Sequence, residues 1–188
     1  VRVVGAEYLK KAVERGRGTI ILTAHLGNWE MGAAVLAKIG HPVVAVALPH
    51  KDTRINDLFN RQRQHYGVTV VPTNVAVRKC IDALKKNRFV ALLGDRDFGS
   101  FGEPLPFLGR PTLIPKGAAF FAQRTGATIL PAFLLPEGEG VYTMYIDEPI
   151  IPSAEGVPDE REALRRLMKS YVQVIERMIR KDPTQWLM

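Results

Sequence analysis

One cysteine, Cys80, stands in 188 residues, which excludes an intrachain disulfide framework and a cysteine-based zinc cluster. It falls in the apolar spacing Val77, Cys80, Ile81, Leu84, so its expected role is that of a small core residue. No apolar run approaches the roughly 18 residues of a membrane helix, and the start VRVVG lacks the layout of a signal peptide. The four histidines include no pair at a zinc-ligand spacing with a third partner nearby. Internal repeats, low-complexity tracts and linkers are missing as well, and 46% hydrophobic content is enough for one good-sized core, hence one domain over residues 1–188. Acidic residues are in the minority. Lys and Arg number 26 against 19 Asp and Glu, a formal charge of +7 that points to an anionic partner such as phospholipid, an acidic carrier protein, a phosphorylated substrate or nucleic acid. A basic protein that is merely soluble is the alternative reading of the same charge.

The chain is organised around GTIILTAHLGNWEMGAA, Gly18 to Ala34, where an apolar run stops at a histidine and a helical pattern begins. Thr19 to Thr23 is short and rich in β-branched residues, as expected of a strand buried on both faces of a parallel sheet. His25 then sits at its C-terminal end. Asn28 is placed to cap a helix starting near Trp29, with Gly40 as its stop, which puts Glu30 in the first helical turn. A tight turn through Leu26 and Gly27 folds that carboxylate back toward the imidazole. Open α/β sheets bind ligands outside the carboxyl ends of their strands, so His25 and Glu30 face such a crevice. A histidine titrates near neutrality and a carboxylate partner stabilises its imidazolium, which together make a general base. Neither Ser nor Cys stands in the motif, so the proton comes from a bound alcohol or water. The same residues also read as a capping or buried histidine beside a glutamate favoured by the helix dipole.

Further along, Val1 to Glu14 predicts a short helix, Pro42 to Leu48 a second buried strand, and Arg54 to Tyr66 a basic helix carrying Arg54, Arg61 and Arg63. Arginine there suits bidentate recognition of phosphate or carboxylate, or simply a solvated face; His50 and His65 read as surface residues. Val68 to Val71 and Phe89 to Leu93 predict strands around a helix at Val75 to Lys86, and the second of them runs into Asp95, Arg96, Asp97, Phe98, Gly99. Two carboxylates flanking an arginine can bind a metal, hold a sugar hydroxyl, orient the basic helix or form only a tight turn; two carboxylates are few for a metal. Gly102 to Pro115 reads as an apolar loop with Leu105, Phe107, Leu108, Leu113 and Ile114 packing over the core or lining a greasy pocket. A helix from Pro115 to Arg124, strands near Thr128 to Leu135 and Val141 to Ile146 paired as a hairpin, and an amphipathic helix from Asp159 to Arg180 complete the order. The expected fold class is α/β: a mostly parallel sheet flanked by helices, with a C-terminal hairpin.

The motifs resemble a known family. His25-Leu-Gly-Asn-Trp-Glu30, the Asp95 to Gly99 turn, Pro106-Phe-Leu-Gly109, Lys116-Gly-Ala-Ala119, Arg124 to Pro131 and Pro183-Thr-Gln-Trp186 look like the bacterial lipid A lauroyl/myristoyl acyltransferases, within the wider glycerolipid acyltransferase group marked by a His followed by four residues and an acid. Phosphatidylinositol mannoside acyltransferases are similar. The resemblance spans nearly the whole chain from Val4 and implies transfer of a fatty acyl group from acyl carrier protein or coenzyme A to a glycolipid hydroxyl at the cytoplasmic face of the inner membrane, with no cofactor and no metal. It assigns the catalytic base to His25 and the partner acid to Glu30, and gives Arg63, Asn28, Asp95, Arg96 and Asp97 substrate-binding or site-organising roles. Leu105, Phe107 and Leu108 become candidates for the acyl pocket. It also implies an upstream hydrophobic anchor, expected here to be missing, and a basic segment after the Trp that is cut short at Leu187 and Met188.

Two other function classes stay open from sequence: a thioester or lipid hydrolase using the same dyad with water as acceptor, and a non-catalytic basic module binding an anionic membrane. A nucleic-acid module is disfavoured, because no aromatics interleave a basic face and no such motif is present.

Overall fold

Parallel strands with a short, fully apolar sequence need helices on both faces, and the computed structural model has that form. It describes residues 1–97, 102–153 and 159–187. The strands are β1 (Arg2–Val4), β2 (Thr19–Thr23), β3 (Val43–Ala47), β4 (Val68–Pro72), β5 (Phe89–Leu93), β6 (Glu103–Phe107), β7 (Arg110–Ile114), β8 (Thr128–Gly138) and β9 (Val141–Ile146). The helices are α1 (Ala6–Glu14), α2 (Trp29–Lys38), α3 (Thr53–His65), α4 (Ala76–Lys85), α5 (Gly117–Thr125) and α6 (Glu160–Lys181). Seven strands form one sheet in the order β1-β9-β8-β2-β5-β3-β4; among the described residues β8 and β9 pair antiparallel and the other strand pairs of this sheet are parallel. The expected α/β architecture with a hairpin is therefore what the chain adopts.

Alternate residues of each strand feed two cores. Ile20, Leu22, Val44 and Val90 face α4, α5 and α6, while Ile21, Val43 and Phe89 face α1 and α2. Cys80 lies wholly buried in the first core, where burial pushes its thiol up to about 11.

Register places the site. In the β2–β5 pair Thr19 stands opposite Phe89 and Thr23 opposite Leu93, so the two strands end level with one another. The second residue beyond each end is His25 on one strand and Asp95 on the other.

Three local expectations change. The first fourteen residues are not one helix, since Arg2–Val4 pairs parallel with Thr143–Tyr145 of β9 before α1 begins; three residues are too few to carry a periodicity of their own. The Gly102 to Pro115 stretch is not a loop but a separate two-stranded ribbon, β6 with β7, turned by Leu108 and Gly109, both at positive φ (50° and 81°). Its prolines are tolerated because the ribbon pairs with no third strand, and Pro106 faces Pro111 across it. Pro115 precedes α5 rather than starting it, and its carbonyl instead accepts the hydroxyl of fully buried Tyr171 at 2.6 Å.

Candidate active site

The turn after β2 is held from three sides. Asn28 caps α2 as expected, its Oδ1 accepting the Met31 amide at 3.0 Å, and its own amide donates to Leu134 O of β8 at 2.9 Å. Gly27 N donates to Gln185 O at 3.0 Å, and Leu187 N donates to His25 O at 2.7 Å, closing a one-residue antiparallel bridge between Leu26 and Trp186. His25 is presented from this frame with its side chain 17% exposed, edge-on to the Trp29 ring at 5.1 Å.

Its partner on Nδ1 is Asp95. The ring nitrogen lies 3.0 Å from Asp95 Oδ1, and the His25 backbone amide donates to Asp95 Oδ2 at 2.9 Å. A third N–H, the Trp186 indole Nε1, donates to the same Oδ2 at 3.0 Å. The Asp95 side chain is 0% exposed. Burial pushes its pKa up, but hydrogen bonds from the His25 ring, the Trp186 indole and the His25 amide outweigh that cost and hold it below the ordinary carboxylate value. An ionised carboxylate only accepts, so Nδ1 carries the ring hydrogen and the lone pair of the neutral imidazole sits on Nε2.

The sequence predicts Glu30 as the acid partner of the imidazole without fixing which ring nitrogen it meets; the carboxylate beside the ring is that of Asp95. Both oxygens of Glu30 instead accept from Arg63, Nε to Oε2 at 2.9 Å and Nη2 to Oε1 at 2.5 Å. The Arg63 side chain is 14% exposed and the Glu30 side chain 41%. The physical reason is register: Asp95 leaves a strand directly beside His25, whereas Glu30 stands in the first turn of α2, where its carboxylate meets the planar fork of Arg63 from α3. Arg63 also lies over the Phe59 ring at 5.7 Å. The basic helix α3 thus contributes to the site through Arg63, as expected. Glu30 and Arg63 form one unit, so Glu30→Gln, Arg63→Lys and the double variant are expected to lose similar stability. A double-mutant cycle should give a coupling of about 1 kcal/mol, kept small by the exposure of Glu30. Additive losses would show that the two act separately.

The remaining expected site residues scatter. Asp97 Oδ2 accepts the Gly102 amide at 2.9 Å, and Arg96 is exposed. Phe98 and Gly99 of that motif lie outside the described residues. Leu105 and Phe107, expected to line an acyl pocket, are core residues 2% and 4% exposed, and Phe107 meets the Trp186 ring edge-on at 5.9 Å. Leu108 is partly buried, and its amide donates to Glu176 Oε1 at 2.5 Å. The ribbon thus supports the site from behind. An apolar cavity of about 30 Å³ lies instead between α2 and the sheet, lined by Thr23, Trp29, Gly32, Ala33, Leu36 and Phe133 among others. A cleft of about 1060 Å³ beside α5 and the start of α6 includes none of His25, Glu30, Arg63 or Asp95 in its lining.

The residue that sequence reasoning missed is Trp186, quoted only as part of a motif. Asp95 stands among the expected site-organising residues, but not as the partner of His25. Equal strand lengths were the available signal: two five-residue runs, Thr19–Thr23 and Phe89–Leu93, each end two positions before a group able to do chemistry.

The whole chain, residues 1–188, matches the family model described as bacterial lipid A biosynthesis acyltransferase. The phosphatidylinositol mannoside acyltransferase of Mycobacterium tuberculosis (strain H37Rv) is 32% identical over 144 residues, covering 74% of this chain and 46% of that protein. Its counterpart in Mycolicibacterium smegmatis is 30% identical over 142 residues, 73% and 47% of the two chains. The lipid A biosynthesis palmitoleoyltransferase of Escherichia coli K12 is 26% identical over 189 residues, 98% of this chain and 58% of that protein. The chain thus spans about half the length of the curated relatives it matches. It belongs to the bacterial lipid A biosynthesis acyltransferase family.

Proposed function

We propose that this chain carries the catalytic unit of an O-acyltransferase, one that moves a fatty acyl group from a thioester of acyl carrier protein or coenzyme A to a hydroxyl of a glycolipid. The observation that supports it best is the buried, ionised Asp95 on Nδ1 of His25, which leaves Nε2 as the proton acceptor at the open end of the sheet. Relatives named for phosphatidylinositol mannoside and for lipid A support a glycolipid acceptor.

In this reading Nε2 takes the proton of the acceptor hydroxyl as its oxygen attacks the thioester carbonyl. The new C–O bond leaves an oxyanion. The Asn28 cap takes the Met31 amide, so of the first-turn amides of α2, which have no acceptor within their own helix, those of Trp29 and Glu30 supply N–H groups for that charge. Collapse breaks the C–S bond, and the proton on Nε2 passes to the departing thiolate, returning His25 to its neutral form. Asp95 stays ionised throughout and stabilises the transient imidazolium, while Arg63, held by Glu30, and the exposed Arg96 provide cationic character toward a phosphorylated acceptor.

Mass spectrometry of lipids after incubation with a mixture of acyl thioesters and glycolipid acceptors tests the reading. Acylated glycolipid appearing in step with thiol release supports it. Thiol release at one rate with or without acceptor, yielding free fatty acid, identifies a hydrolase and overturns it.

The membrane side of the proposal rests on α3. No residue of this helix is fully buried, and Leu48, Ile55 and Leu58 are exposed among Lys51, Arg54 and Arg61. Apolar side chains ringed by cations suit an anionic lipid surface, the inner leaflet of a bacterial membrane in this reading, with the protein attached peripherally. Among the described residues no helix is long and apolar enough to cross a membrane. Leu58→Glu combined with Ile55→Glu is expected to weaken co-sedimentation with phosphatidylglycerol-containing vesicles at least about tenfold, from on the order of 1 kcal/mol per side chain partly buried at the interface. Unchanged co-sedimentation would move the membrane contact to another face.

A further inference from the structure

Pro183–Leu187 returns from the end of α6 to the turn that carries His25. Its backbone makes the bridge at Leu26, with Gly27 N donating to Gln185 O at 3.0 Å and Leu187 N donating to His25 O at 2.7 Å. The Trp186 side chain continues inward past the turn. Its ring rests edge-on against Phe107, itself nearly buried in the core, and its indole N–H reaches Asp95 Oδ2 at 3.0 Å.

A carboxylate is planar, so two donors on one oxygen set the direction of the other. Oδ2 of Asp95 is held by Trp186 Nε1 and the His25 amide, which come from opposite ends of the chain. Oδ1 is thereby aimed at His25 Nδ1, 3.0 Å away. The backbone bridge, made by Gln185 O and Leu187 N, fixes the histidine, and the indole of the residue between them fixes its acid.

We propose that Trp186 is a positioning residue for the base: through its indole N–H and the bridge at its backbone it locks Asp95 and His25 together and tunes how strongly His25 accepts a proton. This rests on the reading of His25 as general base. The tuning follows from charge distribution. An N–H on Oδ2 draws negative charge away from the oxygen that faces the imidazole, and removing that N–H returns charge to Oδ1 and favours the imidazolium. Loss of the indole donor therefore strengthens the hold of Asp95 on the imidazolium, and the fraction of neutral base at a given acidic pH falls.

The test removes the donor while keeping the ring. β-(3-Benzothienyl)alanine placed at position 186 has the shape of tryptophan with sulfur in place of N–H; Trp186→Phe is the simpler companion variant. In the parent and both variants, the His25 ring nitrogens are titrated by ¹⁵N NMR without substrate, and kcat/KM is measured against pH with a soluble acyl thioester. The expected result is an upward move of the His25 titration together with the acid limb. kcat should fall about tenfold with KM for the thioester unchanged. Thermal denaturation reports folding separately. A benzothienyl variant that lowers thermal stability while leaving the His25 titration and the acid limb in place would reduce Trp186 to core packing and overturn the proposal. The NMR titration needs no turnover, so it judges the Trp186–Asp95–His25 coupling even if His25→Ala shows that His25 is not the base.

Discussion

Asp95→Asn is expected to lower kcat by about 10³- to 10⁴-fold with KM nearly unchanged, and His25→Ala to remove acyl transfer to at least the same degree. Asparagine is nearly isosteric, so the loss arises from hydrogen-bond polarity. Asp95 accepts three N–H groups, one on Oδ1 and two on Oδ2. An amide offers one accepting oxygen and one donating nitrogen. If its nitrogen takes the Oδ2 position, it confronts the Trp186 indole and the His25 amide with a third donor. If it takes the Oδ1 position, it donates to Nδ1 and drives the ring hydrogen to Nε2, the nitrogen that must accept. Either choice disables the base, and the loss of charge deprives the imidazolium of its counter-ion. Single-turnover rates with a fixed acyl thioester measure the effect. Activity within tenfold of the parent would mean that Asp95 only shapes the turn. A second readout comes from acid stability. The folded pKa of Asp95 lies below its unfolded value of about 3.9, so its contribution is full above that value and is lost as pH falls through the folded one. The Asn variant lacks this acid-side loss, and its Tm should fall less steeply between about pH 5 and pH 2 than the parent's.

The change of partner from Glu30 to Asp95 shows where sequence reasoning works and where it stops. Gly18 to Ala34 is locally self-consistent: a β-branched run wanting burial on both faces, a capping Asn, and an amphipathic start to α2, each reinforcing the others. Its strand, cap and helix are therefore legible, and so is the position of the histidine just beyond the strand. Glu30 lies five residues from His25 in sequence, and proximity along the chain made it the natural partner. Asp95 lies seventy residues away and reaches His25 only through the pairing of β2 with β5. Strand order is a property of the assembled sheet, and no periodicity within β2 or β5 encodes it. The same limit hides β1, whose three residues become a strand only by lying beside β9, and the β6–β7 ribbon, whose prolines argue against a strand until its lack of a third partner is known. Leu105 and Phe107 read from sequence as apolar residues either packing over the core or lining a pocket, and both lie in the core. Apolarity says that a side chain leaves water, and the tertiary structure decides whether protein or ligand covers it.

The close approach that frames His25 is at Gly27, and Gly27→Ala is expected to cost about 3 kcal/mol or more and roughly 10 °C in Tm. Two terms add. Gly27 sits at φ 64°, a left-handed conformation that costs an L-residue about 1–2 kcal/mol. A Cβ there would also press into the Leu134 carbonyl oxygen and lie 2.7 Å from Leu135 Cδ2, and because the first of these is backbone, no rotamer change relieves it. Relief requires the turn to move away from β8. That motion breaks the Asn28 N to Leu134 O bond and carries with it Gly27 N, which donates to Gln185 O, so the histidine loses its frame on two sides together. Activity should therefore fall even at temperatures where the variant remains folded. Gly40→Ala supplies the comparison: its φ of 97° is also left-handed, but a Cβ there meets nothing within 4 Å. It should show only the conformational cost, about 1–2 kcal/mol, with transfer activity retained. Equal Tm losses in the two variants would show that backbone conformation alone accounts for Gly27. A larger loss at Gly27, with a fall in kcat confined to it, would show that close approach of the His25 turn to β8 is what holds the base in place.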